Sequence, residues 1–190
     1  AEANMSKHIF SLSYYIQERD RKNDTFSLSE LVGLFSQLTQ LIQRLNLAGI
    51  SFTNLSTFEI LVDNQQSLCI ANIQPLQVKE AIMSVNDKAK ETKLENPEQS
   101  FLLGNILLAM CLLQAESSLN NNKRTLEENI MIVRDRYGEP LVNLVKGLLD
   151  NKPENRWSIG VVNDYLTKKY ECFLDKNFLQ RNSPKIWEKR

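Results

Sequence analysis

The chain has 190 residues, 42% hydrophobic and 24% charged, with 23 basic residues against 23 acidic ones. That balance suits one globular domain with a sizeable core. It gives no clustered positive field for nucleic acid or for an anionic membrane surface.

Cys69, Cys111 and Cys172 lie far apart in sequence, no C-x-x-C occurs, and His8 is the only histidine. A zinc site of Cys/His type and a triad built on a His base are thereby excluded, and three reduced, packed cysteines fit a cytoplasmic protein. The most apolar run, Phe101 to Leu113, is shorter than the ~20 residues that span a bilayer. No basic segment followed by an apolar one opens the chain, so no secretory signal is expected.

In chain order, residues 10–18 (FSLSYYIQE) predict a short helix with Leu12, Tyr15 and Ile16 on one side. Ser27 and Glu30 then form an S-x-x-E capping box. Behind it Leu28, Leu31, Val32, Phe35, Leu38, Leu41, Ile42 and Leu45 recur at helical spacing, with Gly49 as the stop. Glu59–Val62 and Leu68–Ile73 read as two short strands joined through Asp63 to Gln66, a single hairpin. Residues 75–85 read as a helical turn, and 88–95 as loop or frayed helix.

Asn96-Pro97-Glu98 places an N-cap, a first-position proline and a first-turn acid ahead of a helix to about Glu116. That helix is apolar nearly all round, which suits the middle of a domain. Asn120 to Lys123 reads as an exposed loop. Thr125 and Glu128 repeat the capping pattern before Leu126, Ile130, Ile132 and Val133, and Gly138 is the stop. Pro140 opens a helix over 141–149, and Ser158 opens one over 159–173. The expectation is a mainly α-helical domain over 1–173, with one small β-hairpin and a polar tail over 174–190 that docks or stays disordered.

Between the first long helix and the hairpin lies Gly49 to Asp63, GISFTNLSTFEILVD. The order of elements, with this loop in their midst, resembles the C-terminal lobe of the protein kinase fold over roughly residues 9–173. Kinases carry a loop H-R-D-L-x-x-x-N ahead of a hydrophobic strand. Aligned without gaps, Phe52 takes the His position, Thr53 the Arg, Asn54 the catalytic Asp, Leu55 the Leu, Ser56 the usual Lys and Glu59 the metal-binding Asn. The D-F-G positions fall on Asn72, Ile73 and Gln74. Val78-Lys79-Glu80 takes the place of A-P-E. Asp150 to Ser158 resembles D-P-x-x-R-P-[ST], so the resemblance implies an ion pair between Glu80 and Arg156. Gln99 stands where the family has an Asp at the start of the buried helix, which reads as a loop that no longer needs tethering.

Phosphoryl transfer on this fold needs a carboxylate beside the substrate hydroxyl and ligands for magnesium. Asn54 and Asn72 supply neither charge, and no G-x-G-x-x-G occurs. The resemblance therefore implies a pseudokinase-type scaffold without catalytic activity, cofactor or metal, akin to the kinase non-catalytic C-lobe domain that binds peptides. Tyr14, Tyr137, Trp157 and Trp187 are its candidate contacts with a protein or peptide partner. Alternatives of other classes are a structural subunit of a larger assembly, or a kinase-like fragment with residual nucleotide binding.

Overall fold

The structure, a computed structural model, describes residues 9–71, 96–121 and 124–174. Strand β1 (Phe10–Ser11) leads into α1 (Leu12–Arg21) and then the long α2 (Leu28–Leu47). Strands β2 (Ile60–Val62) and β3 (Leu68–Ile70) follow the loop. The second half is helical: α3 (Pro97–Leu112), α4 (Glu116–Asn121), α5 (Leu126–Tyr137), α6 (Glu139–Leu148) and α7 (Ile159–Tyr170). Short 3₁₀ turns occupy Pro153–Asn155 and Glu171–Phe173. The described residues are thus mainly helical, with a small antiparallel sheet.

Local signals set most of these boundaries. The Ser27 hydroxyl accepts from the Glu30 amide and the Glu30 carboxylate accepts from the Ser27 amide, both at 3.1 Å, so the capping box is complete. Asn96 accepts from the Glu98 amide at 3.0 Å with Pro97 behind it, and Thr125 accepts from the Glu128 amide at 3.2 Å. Gly49 and Gly138 stop their helices with φ of 88° and 92°, a region that side chains disfavour.

The sheet corrects two expectations. Residues 10–11 are strand rather than the first turn of a helix, and β1 pairs antiparallel with β2, Phe10 opposite Val62. The hairpin is present, with Ile60 opposite Ile70 and Val62 opposite Leu68, but β1 extends it to a three-stranded sheet ordered β1-β2-β3 with β2 in the middle. Its turn is closed by Asp63, whose Oδ1 accepts from the amides of Gln65 and Ser67, each at 2.9 Å.

The helix expected to reach Glu116 ends at Leu112, because Leu113 turns left-handed (φ 55°) and sends its side chain into the core. Part of the stretch read as an exposed loop, Asn120 and Asn121, closes α4 instead. The last helix ends as α-helix at Tyr170 and tightens to 3₁₀. Residues 75–85, 88–95 and 175–190 lie outside the described residues.

Helix α3 runs through the centre and packs on α2, α5 and α6. Leu103, Ile106, Leu107, Leu108, Ala109, Met110 and Cys111 are all buried, on every side of it; Phe101, at its outer end, is 39% exposed. Gly104 lets α6 approach, since a Cβ there would meet Leu149 at 2.6 Å. Helices α2 and α7 are locked by polar groups: the Thr39 hydroxyl donates to Asn163 Oδ1 (2.7 Å), and Asn163 Nδ2 donates to the Thr39 carbonyl (3.2 Å) and Gln43 Oε1 (2.7 Å). Among the described residues, no helix is long and apolar enough to cross a membrane.

Candidate functional site

Residues 49–59 join the end of α2 to β2, and their main chain is tied down at Ile50, Phe52, Ser56 and Thr57. Ile50 and Phe52 turn into the core, and Phe52 is only 1% exposed. A buried amide pair fixes this half. The Asn46 amide group donates to the Ile50 carbonyl (2.7 Å) and to Gln99 Oε1 (3.1 Å), while Gln99 Nε2 donates back to Asn46 Oδ1 (2.9 Å). The Phe52 N–H donates to the same Gln99 oxygen at 3.2 Å, and Asn96 Nδ2 donates to the Phe52 carbonyl at 2.8 Å. Helix α3 therefore holds the loop through its N-cap residue and its first turn.

This overturns the reading of Gln99 as the mark of an untethered loop. A carboxamide oxygen is also an acceptor, and Gln99 both accepts from the loop amide and donates to Asn46 without burying a charge. The sequence carried a signal for this network: Asn46 and Gln99 are amides at otherwise apolar helix positions, and a buried amide must find partners.

The second half of the loop is pinned by two acids. Glu59 turns back on its own loop, where its carboxylate accepts from the Ser56 hydroxyl and from the Ser56 amide (2.8 Å). Glu116 of α4 accepts from the Thr57 amide at 2.8 Å, and the Thr57 carbonyl accepts from the Ser13 amide of α1 at 3.1 Å. Leu55 and Thr57 are buried, whereas Thr53, Asn54 and Phe58 face outward, Phe58 at 65% exposure. Of the residues aligned with the kinase loop, the structure thus brings Phe52 and Glu59 into structural bonds and leaves Thr53 and Asn54 at the surface. Asn72, Ile73 and Gln74 lie outside the described residues, as does Glu80. Among the described residues no group of three or more His, Cys, Asp or Glu could hold a metal ion.

Arg156 bonds two main-chain carbonyls, and its expected pairing with Glu80 falls outside the described residues. Its Nε donates to the Asp150 carbonyl (2.9 Å) and its Nη1 to the Pro97 carbonyl (3.1 Å), and the guanidinium lies 4.7 Å from the Phe101 ring centre. It joins the connector after α6 to the start of α3.

The expected partner contacts separate. Tyr14 is exposed and stacks on Phe10 with ring centres 4.4 Å apart. Tyr137 is a correction: it is buried at 8% exposure, its hydroxyl donates to the Phe26 carbonyl at 2.8 Å, and burial pushes its phenol up to about 12. It closes the stripe of Ile130 and Val133 on α5 and is a core residue. Trp157 is half-buried, and Trp187 lies outside the described residues.

None of the three cysteines forms a disulfide; Cys111 is buried, which raises its thiol well above the ordinary value, whereas Cys69 is half-buried and Cys172 exposed, correcting the expectation that all three are packed. In comparisons with known proteins, no family model matches the chain, and no curated protein matches it either.

Proposed function

We propose that the chain is a non-catalytic protein–protein interaction or scaffolding module built on a kinase C-lobe-like frame. The observation that carries this reading is Phe52. It stands at the position of the catalytic-loop histidine, is buried, and has its amide tied to Gln99. A side chain fixed in the core cannot reach a substrate, and its removal would open a cavity rather than alter chemistry. Glu59 supports the same reading, because its carboxylate already accepts two hydrogen bonds from Ser56. Asn54 carries no charge with which to take a proton from a hydroxyl.

Thermal unfolding of the chain, titrated with ATP and magnesium, tests the proposal. A ligand that binds only the folded state raises its stability by about 2.7 kcal/mol at a hundred times its Kd. No change in Tm at millimolar nucleotide is expected, either in the natural chain or in Asn54→Asp. A saturable rise in the natural chain overturns the proposal in favour of residual nucleotide binding.

A further inference from the structure

We draw no further inference here: the strongest candidate, the groove beside the connector between α6 and α7, where the Trp157 ring lies on Gly147 of α6 and against Tyr165 of α7, carries nothing, because Lys146 and Asp150 line it together and nothing in the structure shows what fills it.

Discussion

The loop after α2 and the connector after α6 are both irregular segments packed against the first turn of α3, yet they use their polar groups in opposite ways. In the loop the polar groups face inward: Asn46, Gln99, Asn96, Glu59 and Glu116 all bond to main chain between Ile50 and Thr57. In the connector the main chain is satisfied at Trp157, and Asn155 and Asp150 retain capacity toward solvent. Polar residues within a few residues of a helix start can thus brace a loop or stay open to solvent. What separates them is whether their hydrogen bonds are already made.

The comparison breaks first at Gln99. Replacing it with Leu, of similar size, strands the Phe52 amide and the Asn46 Oδ1 in the core, while Asn46 Nδ2 keeps the Ile50 carbonyl. The variant should lose about 2–4 kcal/mol in urea unfolding. A loss below 1 kcal/mol would mean that the loop is not braced by α3. At the connector the corresponding change is Gly147→Ala, which drives a methyl into the Trp157 ring. Overpacking of this kind costs about 1–3 kcal/mol, partly offset by the better helix propensity of Ala. In the Trp187→Phe background, Trp157 emission should shift to the red as the ring is displaced, and unchanged emission would show that the ring does not lie on Gly147.

The smallest expected effect sharpens the contrast from a third place, Glu30. Burial pushes this carboxyl up, but hydrogen bonds from Arg19 and Ser27, with the charge of Arg19, outweigh it and hold the group below the ordinary carboxylate range. Because the folded value is depressed, the stabilisation is present at neutral pH, above the unfolded value, and fades as pH falls through the folded one. Glu30→Gln should flatten the acid limb of the stability profile while changing neutral stability by about 1 kcal/mol or less. An acid limb identical to that of the natural chain would show that Glu30 does not supply it.

What the sequence disclosed follows the range of the interactions. The capping box at Ser27 and Glu30, the Asn96-Pro97 start and the glycine stops are decided within a few residues, and the helices begin and end close to where those signals fall. The hydrophobic pattern likewise placed α3 at the centre. Strand β1 was not legible, because two residues make no period and its partner Val62 lies far along the chain. The role of Gln99 was misread because it was judged by the charge it lacks rather than by its capacity to accept. Tyr137 is a candidate contact by residue type, but its spacing from Ile130 and Val133 puts it on the buried stripe. The groove was half visible: Trp157 stood out, but Tyr165 and Asn143 meet it only through the packing of α6 against α7.

The clasp between Thr39 and Asn163 carries a consequence for how the molecule comes apart. Thr39 is wholly enclosed in the middle of α2, and its hydroxyl and carbonyl both bond to Asn163 of α7. Stripping away α7 would remove those bonds and bare to water the apolar surface that α7 covers on α2 and α6. Helix α7 is therefore a keystone rather than an appendage. Melting should proceed as one concerted event, and a protease-trimmed product that ends before Ser158 should fail to persist as a folded species.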